Sequence, residues 1–168
     1  MSFSDLNLPF SLLVALQKES FSNPYPIQEK AIPAILKRKD ILGIAVTGSG
    51  KTAAYVLPIL AILEKGSKFT NRHVPVLVVV PTRELAVQVA VVFEQFAKYL
   101  KTRVKTLAVY GGVSINPQMQ AMNQVQVLVA TPGRLLDLVA SNAVHLSEVS
   151  ILVSVSYTHL TLPTIYSV

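Results

Sequence analysis

Short, mostly apolar runs alternate along the chain with stretches of helical periodicity, and this alternation limits the available folds more than any other feature. The runs fall at residues 41–45, 76–80, 106–110, 125–130 and 150–153. They are continuous rather than alternating, as expected of strands covered by helices on both faces of a parallel sheet. Between them, residues 84–100 place Leu85, Val89, Val92, Phe93, Phe96 and Leu100 on one helical face. Shorter helical patterns occupy residues 9–18, 27–37, 50–64, 116–123 and 132–140. The expectation is an α/β domain with a five-stranded parallel sheet flanked by helices.

In such sheets ligands bind beyond the carboxyl ends of the strands, so the loops that leave the strands carry the chemistry. Four of these loops are distinctive: Val46-Thr47-Gly48-Ser49-Gly50-Lys51-Thr52, Pro81-Thr82-Arg83-Glu84, Gly111-Gly112-Val113-Ser114 and Thr131-Pro132-Gly133-Arg134. In the first, Gly48 and Gly50 allow backbone N–H groups to turn inward around phosphate oxygens, and the helix start adds its positive dipole end. Lys51 is then placed for the β and γ phosphates and Thr52 for Mg²⁺. The plain alternative is a glycine-serine turn joining strand to helix. Upstream, Phe21-Ser22-Asn23-Pro24-Tyr25-Pro26-Ile27-Gln28 precedes a helix. Its glutamine offers the donor and acceptor that pair with adenine N6 and N7, although alone it reads equally as a surface residue at a proline-directed helix start.

Composition excludes several classes. With 168 residues, 51% of them hydrophobic, the chain is long enough for one domain with a core. It contains no apolar run of the roughly 18 residues that span a bilayer, and its start lacks the basic stretch of a secretory signal. No membrane partner is expected. The absence of cysteine excludes disulfides and thiolate metal sites and fits a cytoplasmic location. His73, His145 and His159 are too widely spaced for a local metal motif and read as separate surface or loop residues. A net charge of +6 suits a polyanion, but the one dense basic cluster, Lys37-Arg38-Lys39, reads equally as a solvated helix end.

Taken together, the motifs resemble the DEAD-box ATP-dependent RNA helicase family, over about residues 3–153, with the bacterial RhlE-type branch most similar. The segment Ala45 to Thr52 looks like that family's phosphate loop, which begins with alanine. Val46 departs from it mildly, because the family usually has a polar residue there. Phe21 to Gln28 resembles the family's adenine-sensing Q motif, and Phe3 stands at the spacing of the upstream aromatic that packs on the base. Pro81-Thr82-Arg83, Gly111-Gly112 and Thr131-Pro132-Gly133-Arg134 match its RNA-contacting segments. The resemblance implies a RecA-like fold and a cofactor set of ATP and Mg²⁺. It also implies RNA gripped through phosphate and sugar, largely without sequence preference. Residues 1–29 are then the Q-motif region and residues 30–153 part of a first ATP-binding domain.

Hydrolysis needs a carboxylate to hold Mg²⁺ and another to orient water. The family places Asp-Glu-Ala-Asp after a strand like Ile151-Leu152-Val153, but here Ser154-Val155-Ser156 follows. Residues 154–168 contain no Asp, Glu, Lys or Arg and are rich in serine and threonine, so they read as a non-native tail. The family's second RecA-like domain, a partner in cis, is also absent from the sequence. The expectation is therefore an incomplete first helicase domain that binds ATP and RNA weakly without turnover. The alternative is a natural short nucleotide- or RNA-binding module.

Overall fold

The computed structural model describes residues 2–66 and 73–155, and most of the expected tail lies outside them. Elements follow in the order α1 (Phe10–Lys18), α2 (Pro26–Leu36), α3 (Lys51–Lys65), β1 (Val76–Val79), α4 (Arg83–Ala97), β2 (Thr106–Val109), α5 (Asn116–Ala121), β3 (Val127–Ala130), α6 (Pro132–Ala140) and β4 (Ile151–Ser154), with a 3-10 turn at Phe3–Leu6 before them. They divide into two compact units. One comprises Met1–Thr70 with Gln88–Thr106, the other Asn71–Val87 with Leu107–Val168.

The first unit is helical. Its buried side chains include Leu6, Leu12, Leu16, Ile32, Leu57, Leu60, Phe93 and Phe96. Each fully buried leucine contributes on the order of 1.5–3 kcal/mol by leaving water. Pro26 opens α2 at a position where the missing N–H costs nothing. The Gln28 side chain then closes back on the Tyr25 N–H at 2.9 Å, satisfying a donor that the helix cannot reach. Helix α3 begins after Gly50, whose φ of 78° is readily adopted only by glycine.

The second unit holds a four-stranded parallel sheet of order β2-β3-β1-β4. Val76 lies opposite Val127 and Ile151, and Val79 opposite Ala130 and Ser154. Strand β3 is buried at every position, consistent with its continuous apolar sequence. Its core gathers Leu77, Val109, Met122, Val125, Leu128 and Leu138, with Leu135 of α6 and Met119 of α5 packed against them. At the edge, β4 alternates between half-buried and exposed residues. The ladder continues through the start of the expected tail, because Val155 N–H donates to Val79 O at 2.9 Å.

The run 41–45 is a correction to the five-strand expectation. It forms no strand, and Leu42 and Ile44 are 88% and 84% exposed. An apolar run becomes a strand only where neighbouring backbone pairs with it. No described strand does so here. The histidines differ as well. His73 and His145 form a parallel bridge with ring centroids 5.2 Å apart, and His73 Nδ1 lies 3.6 Å from Glu148. His159 lies outside the described residues.

Candidate functional site

In the helical unit, the loop 45–52 is folded on itself. Gly48 and Gly50 both take positive φ, at 80° and 78°. The Ser49 hydroxyl donates to Val46 O at 2.7 Å. Lys51 Nζ donates to the carbonyls of Ala45 and, at 2.8 Å, Val46. The ammonium therefore lies against the loop's own carbonyl dipoles, and an incoming phosphate must outcompete them. Thr47 is exposed and Thr52 half-buried at the start of α3. One turn later burial pushes the Tyr55 hydroxyl up to about 12, against an opposing influence from Thr52, and its Oη is buried without a hydrogen-bond partner.

Gln28 is fully buried, which excludes the surface reading. Its Oε1 accepts from Tyr25 N–H at 2.9 Å and its Nε2 donates to Gly50 O at 3.1 Å. The glutamine thus ties the start of α2 to a loop residue 22 positions away. A methyl group on Gly50 would overlap Gln28 Nε2 and lie 2.8 Å from Tyr25 Cδ2. Phe3 is buried, with its ring edge-on to Phe21 at 6.5 Å, and Phe21 is edge-on to Phe96 at 5.5 Å.

In the sheet unit, the other three loops leave the same end of three adjacent parallel strands, β2, β3 and β1. After β1, Pro81 and Thr82 are half-buried, and Thr82 Oγ1 accepts from Leu85 N–H at 3.3 Å at the start of α4. Arg83 is exposed, 5.8 Å from the Tyr110 ring centroid and 3.6 Å from Glu84. Gly111 and Gly112 are exposed, and Gly112 has φ of 81°. Before β3's loop enters α6, Thr131 N–H donates to Val109 O at 3.1 Å. Pro132 and Gly133 are exposed.

Arg134 differs from its neighbours. It is only 7% exposed, and its Nη2 donates to Val113 O at 2.7 Å. Its Nε lies 3.5 Å from Asp137, and Nη1 is buried without a hydrogen-bond partner. The guanidinium is thus committed to the backbone just after Gly111-Gly112. Gln118 holds the other side of that loop, with Oε1 and Nε2 each 3.1 Å from the Tyr110 backbone. Sequence reasoning missed Gln118 and Asp137, since neither lies in a recognisable motif.

Thr52 supplies one hydroxyl, and among the described residues no group of three or more His, Asp or Glu could hold an ion.

The fold defines the class, a RecA-like α/β domain, and the glycine-lysine-threonine loop is of the kind such domains use for nucleotide phosphates. Residues 25–154 match the DEAD/DEAH box helicase family, and the chain belongs to that family. It is 46% identical over 155 residues to the ATP-dependent RNA helicase DeaD of Haemophilus influenzae, covering 91% of this chain and 24% of that protein. It is 44% identical to the DEAD-box ATP-dependent RNA helicase RhpA of Helicobacter pylori, covering 86% of this chain and 28% of the relative. Its backbone superposes on the RNA helicase Prp28 of Chaetomium thermophilum, solved bound to ADP, with a TM-score of 0.80 and 35% identity over 91% of this chain and 37% of that one. A DEAD box protein from Methanococcus jannaschii gives the same TM-score at 34% identity, over 92% of this chain and 41% of the other. The chain spans about a quarter of the length of the curated relatives named here.

Proposed function

We propose that this chain is the nucleotide- and RNA-binding portion of a cytoplasmic, ATP-dependent RNA helicase. Loop 45–52 takes the phosphates, with Lys51 leaving the Ala45 and Val46 carbonyls to meet them. Thr52 would offer its hydroxyl to Mg²⁺ brought by the nucleotide. The segment 21–28 forms the base side, with Phe3 buried against Phe21 and Gln28 holding the segment to Gly50. The loops at Pro81–Arg83, Gly111-Gly112 and 131–134 grip RNA through backbone amides, hydroxyls and Arg83, without reading base edges. The observation that carries this reading is the Gln28–Gly50 hydrogen bond, which physically joins the base-side segment to the phosphate loop.

Turnover is assigned to the longer parent. Its acidic motif would supply the carboxylates, and a second RecA-like domain in cis would complete the ATP site and the RNA clamp. On this reading residues 154–168 are not native. The chain alone binds ATP and RNA weakly and releases no phosphate. Titrating the purified chain with single-stranded homopolymers of different base tests the RNA half. Affinities should agree within a few-fold across bases and fall with salt, at about 0.7 log units per log unit of salt for each phosphate neutralised. Strong preference for one base, or binding insensitive to salt, would refute backbone gripping.

A further inference from the structure

Glu19 follows the last turn of α1, where the terminal carbonyls already carry partial negative charge. A carboxylate there is electrostatically misplaced unless something else holds it. Three donors from the end of α4 and just beyond converge on it: Lys98 Nζ at 2.7 Å, Gln95 Nε2 at 2.6 Å and Tyr99 Oη at 3.0 Å. The side chain is 18% exposed. Lys98 foremost, then Gln95 and Tyr99, hold its carboxyl down to about 2.

Immediately afterwards the chain reverses. Ser20 adopts φ of 62°, and Phe21 N–H donates to Leu16 O at 2.8 Å. The Phe21 ring then packs on Phe96, one residue after Gln95, Glu19's partner in α4. A charged clamp and an aromatic contact, two residues apart, therefore fix the first end of the segment 21–28 to α4. Gln28 fixes the other end to Gly50.

We propose that Glu19 is a positioning residue for nucleobase recognition: through its clamp on α4 it sets the segment 21–28 that faces the base, and because Gln28 separately holds the other end of that segment to Gly50, its loss is felt at the base far more than at the phosphate cradle. The inference rests on the proposed nucleotide reading of that segment. It predicts that base-dependent and phosphate-dependent binding come apart when Glu19 is lost.

The test compares ATP with inorganic tripolyphosphate, which has the phosphates and no base, on the full chain. Glu19→Ala should weaken ATP binding about tenfold, the scale of one lost charged hydrogen bond, and leave tripolyphosphate within about twofold. Glu19→Gln should fall between, and Tyr99→Phe, which removes one donor and keeps the ring, should shift ATP in the same direction by less. Equal weakening of both probes, or no change in either, would overturn the proposal. Should the unaltered chain bind neither probe, the nucleotide reading itself falls, and amide exchange at Phe21 then decides the clamp. Glu19→Ala should speed that exchange at least about tenfold, and an unchanged rate would overturn the positioning role.

Discussion

The loops at the strand ends of the sheet unit and the loop 45–52 of the helical unit are held by different means. Gly111-Gly112 is bracketed by Gln118 on Tyr110 and by buried Arg134 on Val113, and Thr131 is bonded to Val109 in the neighbouring strand. Those loops inherit the rigidity of a ladder beneath them. Loop 45–52 follows an exposed, unpaired apolar run and is tied from outside by Gln28 at Gly50. The difference teaches that a glycine-rich binding loop is only as preorganised as the segment that enters it. Here the loops at the strand ends are braced by their own side chains, and loop 45–52 closes on its own lysine.

The sharpest way to break this comparison is to truncate one leucine in each region. Leu128→Ala in β3 should cost about 2–5 kcal/mol in a urea titration, because the side chain is fully buried in the sheet core. Leu42→Ala, at an exposed position before loop 45–52, should stay within about 0.5 kcal/mol. A Leu42 cost above about 2 kcal/mol would mean that the run 41–45 is a buried strand after all.

Next in size come the two loop glycines. Gly50→Ala strains a positive φ and collides with Gln28 and Tyr25, so a loss of about 3 kcal/mol is expected. Gly48→Ala has the same backbone strain but open space around it and should cost about 1 kcal/mol. Equal costs would show that the Gln28–Gly50 contact is not maintained in solution. Gln28→Ala, which strands the Tyr25 N–H and leaves Gly50 O with only its bond from Ala54 N–H, should cost about 1–3 kcal/mol.

Smaller effects separate the two arginines of the loops proposed to grip RNA. Replacing exposed Arg83 with Gln should lower the slope of log affinity against log salt by about 0.7, as expected for one lost contact to a single strand. Arg134→Gln should weaken RNA binding while leaving the slope unchanged, because its buried guanidinium is held by Val113 O and paired with Asp137. A slope change in Arg134→Gln would place that side chain on a phosphate. The smallest effect is on pH. The Glu19 carboxyl is held below its unfolded value of 4.5, so its contribution is complete above pH 4.5 and disappears as pH falls through about 2. Relative to Glu19→Gln, the unaltered chain should lose stability across that window and nowhere above it.

Much of the architecture is legible in the sequence, because periodicity reports burial directly. The helix at 132–140 coincides with α6, and strands appear where four of the five apolar runs were read. The failure at 41–45 is instructive, since an apolar run states a preference for burial and says nothing of whether a pairing strand is present. Site residues were legible as chemical types. Their partners were not. Gln28 meets Gly50 across 22 positions, and Arg134 meets Val113 across 21, through tertiary contacts that no local spacing encodes. The commitment of Arg134 to its own chain is visible only in three dimensions.

The central claim, that loop 45–52 is a working phosphate cradle lacking the means for turnover, is tested most directly by equilibrium binding of ATP to the purified chain and to Lys51→Ala, with phosphate release followed in the same samples. Saturable binding that is lost in Lys51→Ala, with no phosphate released, is the predicted result. Binding that survives Lys51→Ala, or release of phosphate by the unaltered chain, would contradict it.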